Sequence, residues 1–357
     1  MDNFKHLIRD DIRALSAYHV QPARGMIKLD AMENPYGMPE ALRTEIGALA
    51  ANAEINRYPD PSATDLKTRL RAVMGIPAQA GLILGNGSDE LIQIVAMAVA
   101  KPGAVLLAPE PTFAMFRMIA VFCGIEFIGV DLRPDFSLDE GAMLAAVREH
   151  NPAVTFLAYP NNPTGNLFDA AAMDRIIAAS PGLVVVDEAY FAFSPASFME
   201  RLLRQRNLLV MRTVSKLGLA GLRLGLLAGP GEIIDELEKL RLPYNINVLT
   251  QVVATRLLDN YPALQAQAAR VRADRDELVP AMRDIPGVLP YASDANFVLF
   301  RVCSANRVFD GLWQRGILVK NLSNVHPSLK DCLRVTVGTP QENQAFLTVL
   351  RDLVAHD

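Results

Sequence analysis

The chain has 357 residues, of which 51% are hydrophobic and 21% are charged. This composition is typical of a folded globular protein with a sizeable core, and it argues against a disordered chain. The formal net charge of -4 gives no electrostatic basis for nucleic acid or an anionic membrane as the main partner.

The three cysteines and five histidines show no metal-binding spacing, so we expect reduced cysteines and no metal site. The first ten residues are interrupted by charges and lack the apolar core of a signal peptide. No run approaches the roughly 18 apolar residues that a membrane span needs. We therefore expect a cytoplasmic protein.

The first residues predict a short helix followed by an extended arm, which ends at the turn-forming residues 34–37. Residues 62–74 then predict an amphipathic helix. Leu66, Leu70 and Met74 fall on one face of this helix, and Ser62 is a suitable N-cap.

Seven short apolar runs follow, and helical patterns alternate with them. The runs are 82–84, 105–107, 127–130, 154–157, 183–186, 208–211 and 224–227. Because they are apolar almost throughout, they predict strands that are buried on both faces, as in a mostly parallel sheet between helices. The sequence therefore predicts a large α/β domain with a seven-stranded sheet over residues 35–245.

After Pro243 the pattern changes to longer helices, at 249–258 and about 262–283, and to a terminal helix. Three strand-like runs lie between the long helices and the terminal helix. They are 297–301, 317–320 and 333–337. This pattern predicts a smaller α+β domain over residues 246–357, with the N-terminal arm, residues 1–34, packed onto it.

Ligands of open α/β sheets bind beyond the carboxyl ends of the strands. The segment Gly85-Asn86-Gly87-Ser88-Asp89-Glu90 follows the first run and begins a helix. Glycines allow the backbone to approach an anion, so Gly87, Ser88 and Asp89 predict a phosphate site. A simple turn capped by Ser88 is the alternative. A dinucleotide fingerprint is excluded because Glu90 replaces its third glycine.

Lys216 follows the sixth run, where a lysine is costly unless it is paired or used chemically. An amine whose pKa falls on burial can form a Schiff base, although a lysine at a strand end can also extend to solvent. Asp187 follows the fifth run, where a carboxylate needs a cation. Phe113 follows the second run, and its ring either stacks on a flat ligand or belongs to the core.

Together these residues predict a flat ligand with a phosphate, a ring cation and an aldehyde, and pyridoxal 5'-phosphate has all of these. The predicted contacts are Phe113 for the ring face, Gly87, Ser88, Asp89, Ser215 and Arg223 for the phosphate, Asp187 for the ring nitrogen, and Lys216 for the aldehyde. We expect the ring cation to lower the pKa of Asp187 by roughly 1 to 3 units. Lys216, once displaced by the substrate amine, would act as the general base.

Several motifs resemble the signature set of the class I/II aminotransferases of fold type I. They are Pro160-Asn161-Asn162-Pro163-Thr164-Gly165, Asp187-Glu188-Ala189-Tyr190, Ser215-Lys216 through Arg223, Asn56-Arg57-Tyr58-Pro59-Asp60-Pro61, and Leu333 through Thr339. The resemblance covers nearly the whole chain, although Arg223 follows Lys216 by seven residues where the family often has eight. It implies a homodimer with each active site at the subunit interface.

The resemblance also implies residue roles, with Lys216, Asp187 and Tyr190 as catalytic residues. Asn162 and Tyr190 would bind the phenolic oxygen of the cofactor, and Tyr58 from the other subunit would bind its phosphate. The substrate contacts would be Arg334 at the anionic end, Lys320 where an arginine is expected, Tyr18 and Asn162.

The reaction that the resemblance implies is amino transfer, with L-glutamate and 2-oxoglutarate as one substrate pair and histidinol phosphate as the other amine, in histidine biosynthesis. Three alternatives stay open. They are an aromatic or broad-specificity transaminase, a cofactor-dependent decarboxylase of a phosphorylated amino acid, and a non-catalytic regulator. A regulator is disfavoured because no basic helix-turn-helix region precedes the arm.

Overall fold

A computed structural model of the chain describes residues 4–17 and 21–355. Its strands are Ile27–Lys28 (β1), Gly81–Asn86 (β2), Val105–Glu110 (β3), Glu126–Asp131 (β4), Val154–Ala158 (β5), Leu183–Asp187 (β6), Leu208–Thr213 (β7), Leu224–Gly229 (β8), Val288–Pro290 (β9), Phe297–Val302 (β10), Ile317–Leu318 (β11), Lys320–Asn321 (β12) and Cys332–Thr336 (β13).

Its α-helices are Asp10–Arg13 (α1), Glu40–Ala51 (α2), Thr64–Met74 (α3), Ser88–Val99 (α4), Ala114–Cys123 (α5), Glu140–His150 (α6), Ala170–Ala179 (α7), Gly231–Glu238 (α8), Val248–Asp259 (α9), Tyr261–Arg283 (α10), Ala305–Gln314 (α11) and Pro340–Ala355 (α12). None of the helices in the described ranges is long and apolar enough to cross a membrane.

All seven apolar runs between residues 82 and 227 form one sheet, in the order β2-β8-β7-β6-β5-β3-β4. Strand β8 runs antiparallel to its two neighbours, β2 and β7, and the other pairings are parallel. The predicted seven-stranded, mostly parallel sheet is therefore confirmed. The order places β5, β6 and β7 side by side, so the segments that follow their carboxyl ends meet at one edge.

Both faces of this sheet are buried except along the edge strand β4, whose side chains are half-buried or exposed, so the predicted burial of run 127–130 is wrong. Burial of the other strands explains why they are apolar at consecutive positions. Along β6, Val184 and Val186 pack into one hydrophobic cluster, whereas Val185 packs into another on the opposite face. Successive side chains of a strand point to opposite faces, so a sheet covered by helices on both sides needs an apolar residue at each position.

The second half forms an antiparallel sheet in the order β12-β13-β10-β9, which packs with α10, α11 and α12. The predicted run 317–320 is divided at Val319, because β11 pairs with β1 of the arm and β12 pairs with β13. Leu29 of the arm donates its N–H to Leu318 and accepts from Thr336. The domain boundaries at residues 34/35 and 245/246 stay predictions.

The predicted cap of the helix over residues 62–74 is wrong. Helix α3 begins at Thr64, and the Asp60 carboxylate accepts the N–H groups of Ser62 at 2.9 Å and Thr64 at 2.7 Å. An ionised carboxylate is a stronger acceptor than a hydroxyl, so Asp60 displaces Ser62 from this role. These bonds lower the pKa of Asp60, with the bond from Thr64 contributing most.

Candidate active site

A cavity of about 250 Å³ lies beyond the carboxyl ends of β3, β5, β6 and β7. It brings together most of the residues that the sequence predicted for a cofactor site. They are Ser88, Asp89, Phe113, Asn162, Asp187, Tyr190, Ser215, Lys216 and Arg223. The order of the parallel strands accounts for this convergence, because residues far apart in sequence follow neighbouring strand ends.

Lys216 lies on a single turn of 3₁₀-helix, Ser215–Leu217, directly after β7. Gly218 ends this turn with φ +104°, and a Cβ atom there would lie 2.9 Å from Asn34 Nδ2, so the turn requires glycine. The Lys216 amine donates to the carbonyl oxygen of Ala31 at 3.2 Å. Burial, with a contribution from the Arg334 charge, lowers the pKa of Lys216 to about 8. Roughly a tenth of this amine is therefore uncharged at pH 7, far more than for an ordinary lysine, and the uncharged form is the one that a nucleophile or base requires.

Asp187 ends β6 and is 4% exposed. Burial raises the pKa of Asp187 to about 7, and the neighbouring Asp89 and Glu188 carboxylates add to this increase. One of its oxygens accepts the N–H of Ala189 at 3.0 Å. The predicted low pKa of Asp187 is therefore not a property of the protein alone. It requires a further cation at this carboxylate, as a protonated ring nitrogen would supply.

The predicted phosphate site is built on a glycine turn before α4. Gly87 has φ +83°, and a Cβ atom there would lie 2.5 Å from Nη2 of Arg223. The Arg223 guanidinium thus packs directly on this turn, and its Nη2 lies 3.6 Å from Oδ2 of Asp89. The interval of seven residues after Lys216 is therefore long enough to place Arg223 at the cavity. The first turn of α4 leaves N–H groups available for an anion beside this guanidinium.

Asn162 connects this cavity to Arg334. Its Nδ2 atom donates to the Tyr190 hydroxyl at 3.1 Å, and its Oδ1 atom accepts from Nη1 of Arg334 at 2.5 Å. Nη2 of Arg334 donates to the carbonyl oxygen of Asp30 at 3.0 Å. Arg334 is thereby held in one orientation between a loop of the large sheet and the N-terminal arm.

A second cavity, of about 480 Å³, adjoins the first, and Ala31 and Met32 line both. Arg334 and Lys320 face it from neighbouring strands, because they are paired in register across β13 and β12. Burial and the Arg334 charge both lower the pKa of Lys320. Two cations on one wall make this cavity suitable for an anionic group. Tyr18, the other predicted substrate contact, lies outside the described residues.

Comparison with known proteins places the chain in a family. The model for aminotransferase class I and II matches residues 24–350. The chain belongs to this family.

Relatives that are more than half identical to this aminotransferase include two histidinol-phosphate aminotransferases. Histidinol-phosphate aminotransferase 1 of Ralstonia nicotianae is 55% identical over 351 residues, which cover 97% of this chain and 94% of that protein. Histidinol-phosphate aminotransferase 2 of Cupriavidus pinatubonensis is 53% identical over 348 residues, which cover 96% of this chain and 95% of that protein. A crystal structure of the histidinol-phosphate aminotransferase from Sinorhizobium meliloti in complex with pyridoxal-5'-phosphate has a TM-score of 0.87 at 23% identity, covering 98% of each chain. These matches confirm the predicted family and fold.

Tyr58 does not line the first cavity of its own chain. It is 81% exposed, and its ring stacks on Tyr244 at 4.4 Å between centroids. Tyr58 is not among the described residues that line either cavity. Its contact with the cofactor of a neighbouring subunit stays a prediction.

Sequence reasoning missed a buried ion pair behind the aminotransferase site. Nε of Arg212 on β7 lies 2.8 Å from Oε2 of Glu188, and the Ser197 hydroxyl donates to the same oxygen at 3.0 Å. Glu188 is fully buried and directly follows Asp187. The pair therefore joins the strand ends that carry Asp187 and Lys216. The available signal was an arginine inside an otherwise apolar strand, which requires a buried partner.

Proposed function

We propose that this chain catalyses pyridoxal-phosphate-dependent amino transfer between L-histidinol phosphate and 2-oxoglutarate, which yields imidazole acetol phosphate and L-glutamate. The observation that carries the proposal is the convergence of Lys216 and Asp187 at one cavity, beside a second cavity with two cations. The names of relatives that are more than half identical over nearly the whole chain support the choice of substrate.

The first cavity fits pyridoxal phosphate, which supplies an aldehyde that takes up the amino group and a ring that accepts electrons from the substrate Cα. The buried Asp187 carboxylate needs a cation, and the turn at Gly87 with the Arg223 guanidinium needs an anion. The ligand offers both charges at its two ends. The residues proposed to hold it are Gly87, Ser88, Asp89, Ser215 and Arg223 at the phosphate, Phe113 at the ring face, Asn162 and Tyr190 at the phenolic oxygen, and Asp187 at the ring nitrogen.

Lys216 would bind the aldehyde in the resting enzyme and would afterwards move the proton at the substrate Cα. Both roles need an uncharged amine, which a pKa of about 8 makes accessible. The Tyr190 ring faces the same amine, with its centroid 6.0 Å away.

Arg334 and Lys320 would bind the anionic end of either substrate in the second cavity. The planar fork of Arg334 suits a carboxylate or a phosphate, and Lys320 adds a point charge. Asn162 and the Asp30 carbonyl hold Arg334 before substrate arrives, so little side-chain order is lost on binding. One site can then accept both a dicarboxylate and a phosphorylated imidazole.

We further propose that the enzyme is a cytoplasmic homodimer in which Tyr58 of the partner subunit completes the phosphate site. Support comes from exposed apolar and aromatic side chains around Tyr58, as expected of a surface that another subunit covers. Ile55 is 73% exposed, and Tyr58 stacks on Tyr244, close to Leu242, which is 72% exposed. Mixed dimers of a Lys216→Ala chain and a Tyr58→Ala chain would contain one intact site, so activity should return on mixing. Activity that stays absent in verified mixed dimers would contradict a shared site.

The proposed function is tested by Lys216→Ala. The variant should retain the cofactor through its phosphate and ring contacts but lose turnover of histidinol phosphate with 2-oxoglutarate by several orders of magnitude. Lys101→Ala, at an exposed loop position, is the control and should keep full activity. Retained turnover in Lys216→Ala would remove the lysine from its proposed role.

A further inference from the structure

Asp30 lines the second cavity, and the proposed reaction gives its carboxylate no role. The Asp30 carbonyl oxygen accepts Nη2 of Arg334 at 3.0 Å, and the next carbonyl oxygen, of Ala31, accepts the Lys216 amine at 3.2 Å. Residue 30 therefore lies between the proposed anion-binding arginine and the reacting amine.

The Oδ1 atom of Asp30 is shielded from solvent and receives no hydrogen bond from the described residues. A buried acceptor without a donor is costly, and a charged one more so. Burial raises the pKa of Asp30, whereas the charges of Lys28 and Lys320 oppose that increase. Lys28 is itself paired with Glu33 at 2.7 Å. Turned toward the second cavity, this carboxylate would accept a hydrogen bond from a donor on the bound ligand.

The two proposed amino donors differ at this point. Each has an anionic group for Arg334 and Lys320 and an amine that would displace Lys216 from the cofactor aldehyde. The remaining arm of histidinol phosphate is an imidazole, which carries an N–H donor. The remaining arm of glutamate is a second carboxylate, which carries no donor and would be repelled by another carboxylate.

We propose that Asp30 is a specificity-determining residue that accepts a hydrogen bond from the imidazole N–H of the substrate and disfavours the second carboxylate of glutamate. This assignment rests on the proposed function. A site built to bond a donor discriminates strongly against a ligand that lacks it, because the buried acceptor is then left without a partner. One side chain would thus act on the two substrates in opposite directions.

The test compares Asp30→Ala and Asp30→Asn with wild-type holoenzyme, by following the absorbance of the bound cofactor after each amine is added alone. Asp30→Ala removes the acceptor, so the apparent Kd of histidinol phosphate should rise by about tenfold or more. Asp30→Asn keeps a neutral acceptor and should therefore lose less affinity for histidinol phosphate. Both variants should bind glutamate severalfold more tightly, since both remove the repelling charge.

Glu40→Gln is the matched control, because it removes one negative charge at an exposed residue that lines neither cavity. It should not produce shifts of opposite sign. Opposite shifts in the Asp30 variants support the assignment, and shifts in one direction or none overturn it while the proposed function stands. A wild-type enzyme that reacts with glutamate but not with histidinol phosphate would overturn both.

Discussion

Asp187→Asn should stabilise the cofactor-free protein at the same time as it damages catalysis. The side chain is 4% exposed, and burial raises its pKa from 3.8 to about 7. This difference of about 3 pH units corresponds to roughly 4 kcal/mol, at about 1.4 kcal/mol per unit. The folded state resists ionisation that the unfolded state allows, so the carboxylate destabilises the fold once the pH exceeds the unfolded pKa.

The pH dependence follows from the sign of this shift. Below about pH 4 the carboxyl group is protonated in both states, and Asp187→Asn should change the free energy of unfolding very little. Between about pH 4 and 7 the advantage of the variant should grow, and above about pH 7 it should reach a plateau of up to roughly 4 kcal/mol. Urea unfolding of the cofactor-free wild type and the cofactor-free variant at pH 4, 5.5 and 8 measures this difference in the free energy of unfolding. Asp310→Asn, at an exposed position of α11, is the control.

A stability difference that is the same at pH 4 and pH 8 would refute this reasoning, as would a variant that is less stable at pH 8. In the holoenzyme the advantage should shrink or reverse, because the ring nitrogen would offset the cost of the wild-type carboxylate. Turnover should fall, since a neutral amide cannot keep that nitrogen protonated.

Two further substitutions test the supports of the site. Gly87→Ala places a Cβ atom 2.5 Å from Nη2 of Arg223 at a φ of +83°. The Kd of pyridoxal phosphate should therefore rise by about tenfold or more, as equilibrium dialysis would record. Gly221→Ala is the control and should leave this Kd unchanged, because a Cβ atom there meets nothing within 4 Å. Arg212→Met leaves Glu188 buried without its cation and should lower the free energy of unfolding by about 3–5 kcal/mol. Adding Glu188→Gln should recover much of that loss in urea unfolding, and strictly additive effects would show that the pair is not coupled.

The cofactor cavity could be predicted from the sequence because two strong regularities apply to it. Continuous apolar runs identify strands of a covered sheet, and ligands of such sheets bind beyond the carboxyl ends. Lys216, Asp187 and Asn162 each follow such a run, so their convergence needed no knowledge of side-chain contacts. The sequence also predicts Arg223 at the phosphate although it follows Lys216 by seven residues rather than eight, and Arg223 lines the same cavity.

The arm and its contacts could not be predicted in the same way. Asp30 and Ala31 meet Arg334 and Lys216 through backbone carbonyl oxygens, which any residue type provides and no pattern reveals. The pairing of β1 with β11 is similarly invisible, because a strand of two residues has no measurable periodicity. The cap of α3 was also not predictable from the pattern, because the Asp60 carboxylate and the Ser62 hydroxyl are both suitable acceptors and Asp60 accepts the N–H of Thr64.

The most direct test of the central proposal is the absorbance of the bound cofactor in wild-type holoenzyme after each amine is added alone. L-glutamate and L-histidinol phosphate should each convert it to the pyridoxamine form, and 2-oxoglutarate should then restore the starting spectrum. A spectrum that neither amine changes would contradict the transaminase assignment. Release of carbon dioxide from a phosphorylated amino acid, without any need for a keto acid, would identify a decarboxylase instead.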